Sequence, residues 1–316
     1  MSGNTRANSE LMILNEEWQT ELEEILFEEL LQLAFYRTID FPQAKSLVLP
    51  SMGTPEVRSY QEEGVFTYDV VDQGQTIITV NDPVYCGNSF TQCLQEDSIL
   101  VSQEIAAVPG LHAQAIKERL LTDLLALANH QFGGVGNANA INGANHRFVA
   151  TGTSGAMDVK DFAYAAYALR KAKVPTSNLI AIVDPSVGYT MDTMTNIANV
   201  SNNPRWEGII ATGIQNQMRF IKNIYGFDVY ESNFLPPAPS ETIGSASTTA
   251  KGVANVFFSM SNPRLLPFMF ANKRSPKVKS EIDFDTDDTL KIVTTARWGT
   301  GLSRDENLVT ILSNTL

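Results

Sequence analysis

The side chains best suited to chemistry are few and scattered. The two cysteines, Cys86 and Cys93, stand seven positions apart. A redox or zinc pair needs the closer C-x-x-C spacing, so both read as small buried hydrophobes. His112, His130 and His146 form no H-E-x-x-H pair, and each reads as an ordinary helix-surface or loop residue. Gly134-Val135-Gly136 opens like a dinucleotide fingerprint, but Asn139 takes the place of the third glycine and a helical pattern precedes it where a strand is required. The sequence has no G-x-x-x-x-G-K-[ST] phosphate loop, and Gly152-Thr153-Ser154-Gly155 lacks the spacing of a nucleophile elbow. Asp283, Asp285 and Asp287 begin like a calcium loop, yet Asp288 stands where glycine is needed and Thr294 where glutamate is needed. The same alternation suits a strand with one polar face. Carboxylates abound, but no spacing selects a catalytic pair, so a cytosolic hydrolase of the Asp/Glu type has no residues to name. The chain is read as a non-enzyme with no cofactor and no metal.

Composition points the same way. A chain of 316 residues and 34.7 kDa allows two domains or one large one. At 43% hydrophobic it can build a sizeable core. The net charge of −12 and a pI near 4.7 argue against gripping nucleic acid over a broad basic surface. Two cysteines cannot make a disulfide scaffold. No apolar run is long enough to span a bilayer, and Met1–Glu10 lacks the apolar core of a signal peptide, so a soluble cytosolic protein without membrane contact is expected.

The elements that would position a functional surface are clearer than any site. Leu11, Leu14, Trp18, Leu22, Ile25, Leu26, Leu30 and Leu33 recur at steps of three and four, which predicts an amphipathic helix. Residues 1–50 hold nine acids and three bases, half of the net charge. The stripe through Leu22 and Leu26 suits packing on its own domain or docking on another subunit. Pro42, Pro50, Gly53 and Pro55 predict extended, irregular chain. A hairpin is then predicted, with runs Val65–Val71 (including Phe66 and Tyr68) and Thr76–Val80 (including Ile77) around a turn at Asp72–Gln75. Such a ribbon is marginal alone and needs a surface to lie on. Residues 94–130 read as helix, interrupted at Pro109-Gly110.

The Gly/Asn-rich stretch 133–155 reads as a loop and domain boundary. Beyond it the pattern is α+β: a helix capped by Asp158, a buried strand at Leu179–Val183 ended by Asp184-Pro185, a helix carrying Met191 and Met194, a strand over Ile224–Tyr230, a loop to Thr249, and a strand over Val253–Met260. The tail returns to strands at Val278–Phe284, Leu290–Arg297 and Leu308–Leu312. One basic cluster stands out: Arg264, Lys273, Arg274, Lys277 and Lys279, with no acid among them. It suits a solvated strand edge, or contact with a neighbour's acidic N-terminal segment or with packaged nucleic acid.

The order of parts, with Gly226-Phe227-Asp228-Val229-Tyr230-Glu231-Ser232-Asn233-Phe234-Leu235-Pro236, resembles the major capsid proteins of tailed bacteriophages, the Hong Kong 97 fold. The step Leu179–Pro185 and the close Trp298-Gly299 followed by Leu308-Val309 resemble the same family. The resemblance covers about residues 50–316. It implies an N-terminal arm (1–54), an extended hairpin loop (55–88) lying across a neighbour, a peripheral domain with a long helix (89–155 and 266–316), and an inserted axial domain (156–265). It further implies a shell subunit forming hexamers and pentamers of itself around the double-stranded DNA of a tailed phage, assembled in the host cytoplasm and ending in the virion capsid. An encapsulin-type nanocompartment shell is the alternative. The hairpin region holds Arg58 but no lysine, so a Lys–Asn crosslink is not expected there. The segment before residue 50 is short for a fused scaffold, which implies a separate scaffolding protein, alongside a portal and only weak contact with packaged DNA. Leu22, Leu26, Phe66, Tyr68, Ile77, Lys273, Arg274 and Lys277 are the candidate subunit-interface residues.

Overall fold

The computed structural model describes residues 35–40, 45–52, 57–59, 62, 68, 70, 73–97, 101–129, 134–193, 220–238, 240–248, 252–283 and 288–314. The predicted N-terminal helix, with Leu22 and Leu26, lies outside the described residues, as do Phe66, His130 and Met194. In chain order come β1 (Tyr36–Asp40), β2 (Ser46–Met52), β3 (Gln73–Thr79), β4 (Val84–Phe90), α1 (Gln92–Asp97), α2 (Val101–Ala126), β5 (Ala140–Ile141), β6 (Ala144–Asn145) and β7 (Arg147–Val149). Then follow α3 (Val159–Lys171), β8 (Leu179–Val183), α4 (Pro185–Thr193), β9 (Phe220–Ile224), β10 (Phe227–Glu231), β11 (Pro237–Ala238), β12 (Thr242–Ile243) and β13 (Ala246–Ser247). The last elements are β14 (Gly252–Ser259), β15 (Phe268–Asp283), β16 (Thr289–Leu302) and β17 (Val309–Asn314).

Two sheets carry the molecule. The larger runs β7-β17-β14-β8-β10-β9, with β11 alongside β14. Both of its faces are covered, which is why β8 reads Leu-Ile-Ala-Ile-Val without alternation. Leu179, Ala181 and Val183 meet Phe162, Leu169, Val187 and Met191 of α3 and α4. Ile180 and Ile182 point the other way, to Leu121, Leu124 and Leu125 at the end of α2. Asp158 caps α3 as expected, and Asp161 completes a capping box: the side chain of Asp158 accepts a hydrogen bond at the helix start and that of Asp161 accepts the Asp158 N–H. The smaller sheet runs β1-β15-β16-β4.

Several expectations are corrected. Helix α2 runs unbroken through Pro109 for 26 residues. The proline removes one backbone hydrogen bond, but packing on both sides keeps the helix continuous through it. Val101 and Val108 pack with Phe90, Leu94 and Ile292, while Ile116 packs with Ala296 and Trp298. Strand β3 pairs with β2, and Gln73–Gln75, expected as a turn, lie within the strand; the other run of the expected hairpin, 65–71, lies mostly outside the described residues. The segment expected to be irregular around Pro50 is therefore a strand; Pro50 pairs with Gln75 at the edge of a two-stranded ribbon, where a missing N–H is tolerated. Within the 133–155 stretch, expected as a loop, β7 lies parallel to β17 at the edge of the large sheet. Strand β17, expected with the 266–316 unit, likewise belongs to that sheet. The single strand expected over 224–230 is a tight hairpin: Tyr225 and Gly226 both take positive φ (50° and 86°), the geometry of a type I′ turn between β9 and β10.

Candidate assembly surfaces

The first surface is the β2–β3 ribbon. Its inner face is laid on the molecule's own small sheet, where Ile78 packs with Met269 and Ala271, joined by Leu47 and Leu49. The approach is close because the strand beneath presents glycines. A Cβ on Gly299 would stand 2.7 Å from the carbonyl oxygen of Thr79, and one on Gly301 2.7 Å from Cγ1 of Ile78. The Asn81 N–H donates to the Trp298 carbonyl (3.0 Å) and fixes the ribbon's exit. The outer face is bare. Val48 and Ile77 are register partners, and they are 48% and 56% exposed. Further along the same excursion, Val57, Tyr68 and Val70 are almost wholly exposed.

The second surface is the far half of β15. Strand β1 covers the outer edge of β15 only from Phe268 to Asn272. Beyond Asn272, β15 pairs with β16 alone among the described residues. Sixteen residues of β15 lie against fourteen of β16, and register shifts between Asn272 and Lys277 absorb the excess. Arg274, Lys277 and Lys279 are exposed and Lys273 half-buried. Lys277 and Lys279 share a face with Thr295 and Val293, their register partners, and with Tyr85, which pairs with Thr295 and is 77% exposed. Val278 and Ile282 fall on the opposite face, each about half exposed.

A third region lies at one end of the large sheet. Arg147 on β7 and Glu241 form an ion pair whose side chains are both 1% exposed. Glu241 Oε2 accepts from Arg147 Nη1 (2.9 Å) and from the Gly136 N–H (2.7 Å). A pair so buried has to be completed by hydrogen bonds to offset lost hydration, and the Gly136 amide supplies one. It ties the Gly/Asn-rich segment to the β12–β13 hairpin. Beside it a cleft of about 460 Å³ is lined by Phe148, Asp158, Lys160, Tyr164 and Ile243 among others.

The candidate chemistry residues resolve into structural roles. His112, expected on a surface, is buried; it bridges Asn88 Oδ1 (2.7 Å) and Thr294 Oγ1 (3.1 Å), joining α2 to β4 and β16. Burial lowers its pKa. His146, expected in a loop, is fully buried beside β7, and burial lowers its pKa too, against smaller raising effects from Ala144 and Glu306. Cys86 is half-buried and Cys93 exposed, so neither is the buried thiol expected. Asp283 pairs with Lys291 on the adjacent strand; Asp285 and Asp287 lie outside the described residues. Among the described residues no cluster of three or more His, Cys, Asp or Glu side chains could hold a metal ion.

Of the described interface candidates, Ile77 lies on the ribbon and Lys273, Arg274 and Lys277 on β15, while Tyr68, outside the described elements, is 89% exposed. Reading the sequence missed Val48, Tyr85, Val278 and Ile282. Val48 had a signal, the short apolar run Leu47-Val48-Leu49 with its β-branched centre, but the flanking prolines masked it.

Comparison with known proteins fits these surfaces into one class. The model of the family described as phage capsid protein matches residues 94–311, and the chain belongs to that family. No curated protein matches. The fold is shared with solved phage capsids. The capsid of the Cyanophage P-SCSP1u aligns over 98% of both chains with a TM-score of 0.65 at 14% identity. The mature capsid of bacteriophage PhiM1 aligns over 94% of this chain and 90% of that one, with a TM-score of 0.66 at 13% identity. The acid-stable capsid of Helicobacter pylori bacteriophage KHP30 aligns over 99% and 98%, with a TM-score of 0.66 at 11% identity. The chain is thus a major capsid protein of the tailed-phage, Hong Kong 97 type, a structural component of the virion capsid, and the encapsulin alternative is not favoured. Among the described residues no helix is long and apolar enough to cross a membrane.

Proposed function

We propose that the chain tiles as hexamers and pentamers into a closed icosahedral shell around packaged double-stranded DNA, assembling in the host cytoplasm with a separate scaffolding protein and a portal. The arm, hairpin loop, peripheral and axial units take the division given above, with β7 and β17 added to the axial sheet. The observation that carries the reading is the outer face of the ribbon. Val48 and Ile77 stand opposite each other in register, apolar and uncovered, on two strands whose inner face is already used. The ribbon's seat is its own small sheet, and what a neighbouring copy supplies is cover for the two apolar side chains left exposed on the outer face. Each contact is modest, and the repetition of many copies makes the shell stable. Tyr68, Phe66 and Ile77 belong to this contact, Leu22 and Leu26 to a docking arm, and Lys273, Arg274 and Lys277 to a second contact. The net charge of −12 suits a wall that meets DNA only weakly.

The test is Val48→Asp with Ile77→Asp. These exposed sites tolerate charge in the isolated subunit, so circular dichroism and thermal unfolding are expected to match the wild type. Particles seen by electron microscopy are expected to disappear. Closed particles from this variant would refute the bridging role.

A further inference from the structure

We propose that the outer edge of β15 between Arg274 and Ile282 docks the acidic N-terminal segment, residues 11–33, of a second copy of the chain. This rests on the shell reading above and names a partner for one of its contacts.

Three observations converge. The edge is exposed: among the described residues β1 pairs with β15 only as far as Asp40 opposite Asn272, and residues 274–282 of β15 are all exposed. An open edge presents unpaired N–H and C=O groups and invites indiscriminate pairing, which natural edges resist with lysine and proline. This edge carries both, in Pro276, Lys277 and Lys279. Two such edges would bring like charges together, so the strip rejects its own kind and selects an acidic partner.

The edge also has two chemistries at once. Lys277 and Lys279 lie on the Tyr85 face, while Val278 and Ile282, half exposed, lie on the other. A polyanion such as DNA would satisfy the lysines but leave the apolar pair uncovered. Residues 11–33 match both: seven glutamates with no Lys or Arg, interleaved with Leu14, Trp18, Leu22, Ile25, Leu26 and Leu30.

Reach favours a second copy. The chain enters the sheet at Tyr36 beside Phe268, the far end of β15. From Phe268 to Lys279 is about 36 Å at ~3.3 Å per residue. The predicted helix would carry residue 22 only about 18 Å from residue 34 at ~1.5 Å per residue.

The experiment uses the full chain and reads particle yield by sedimentation and electron microscopy, with thermal unfolding of the subunit as a folding control. One variant is Lys277→Glu with Lys279→Glu; the other is Glu21→Lys, Glu24→Lys and Glu28→Lys. Each alone is expected to lower particle yield about tenfold with unfolding unchanged. Co-expression of the two is expected to recover particles, because the reversed edge of one copy meets the reversed segment of another. Wild-type yield from the β15 variant overturns the proposal and leaves the shell reading standing. Loss of co-purifying nucleic acid at unchanged yield overturns it in favour of a nucleic-acid contact. Recovery only when both sets of changes share one chain overturns the second-copy assignment. A wild-type chain that forms no particles, either alone or with its scaffolding protein, overturns the shell reading itself, and this contact with it.

Discussion

Gly301 lies beneath Ile78 so closely that a Cβ on the glycine would stand 2.7 Å from Cγ1 of the isoleucine. Two residues earlier, Gly299 is as tight against the Thr79 carbonyl. Residues two apart on a strand face the same way, so this pair makes a smooth track on which the ribbon rests. The exposed Val48–Ile77 face is aimed outward because the opposite face is seated on that track. One link therefore runs from two glycines in the sequence to the direction in which the subunit offers its apolar surface.

The glycine track can be tested at its hardest point. In Gly299→Ala the new methyl meets backbone, which cannot swing aside, so the ribbon has to lift. Overpacking of this kind costs about 1–3 kcal/mol. Chemical denaturation of the subunit is expected to show that loss, and particle yield is expected to fall with it. An unchanged denaturation midpoint would show that the ribbon is not seated as described.

The Arg147–Glu241 pair is expected to be asymmetric under substitution. Glu241→Ala leaves a guanidinium buried without its carboxylate and is expected to destabilise by about 3–5 kcal/mol. Replacing both partners together with apolar residues of similar size, Arg147→Met and Glu241→Leu, is expected to cost much less than the single change. Urea unfolding of the set checks this; equal losses in the single and double variants would contradict it.

Acid should weaken the subunit through the buried His112 and His146. Burial holds the pKa of His112 and of His146 below the ordinary 6.5, so the unfolded chain takes up protons that the folded chain refuses. Their contribution is constant above about 6.5 and is lost as pH falls below it. Asp161 works with the opposite sign at lower pH, since burial raises its pKa and the folded state then binds the extra proton. Melting temperatures are expected to fall from neutral pH toward the mid-acid range, and His146→Leu is expected to flatten that fall. An equal slope in the variant would remove His146 from the account.

Pro109 is expected to be a cost rather than a break. Helix α2 passes through it without interruption, so Pro109→Ala restores one backbone hydrogen bond and is expected to stabilise the subunit, up to the ~3 kcal/mol by which proline disfavours a helix interior. A destabilised alanine variant would show that the helix depends on the proline for its shape.

What could be read from the sequence was what local chemistry decides. Strand β8 was legible because a continuous apolar run has to be covered on both faces, and α3 because Asp158 precedes an apolar period. The ribbon's pairing was not legible, since β2 and β3 are separated by residues 53–72 and Pro50 reads as a breaker until its edge position is seen. Proline at 109 was overread for a related reason: packing by Phe90, Ile292, Ala296 and Trp298 comes from distant parts of the chain. Burial of His112 depends on Asn88 and Thr294, which no local pattern brings together. The basic cluster was visible at once, but its neighbours Val278 and Ile282 gain meaning only when β15 is seen to have an open edge.

The most direct measurement is electron microscopy, with sedimentation, of the full chain purified at high concentration, expressed alone and together with its scaffolding protein. Closed hollow particles tens of nanometres across, in which Val48 and Ile77 are protected from solvent labelling, are the expected result. A stable monomer that leaves those two side chains open to solvent at every concentration would contradict the claim that this subunit is finished only by copies of itself.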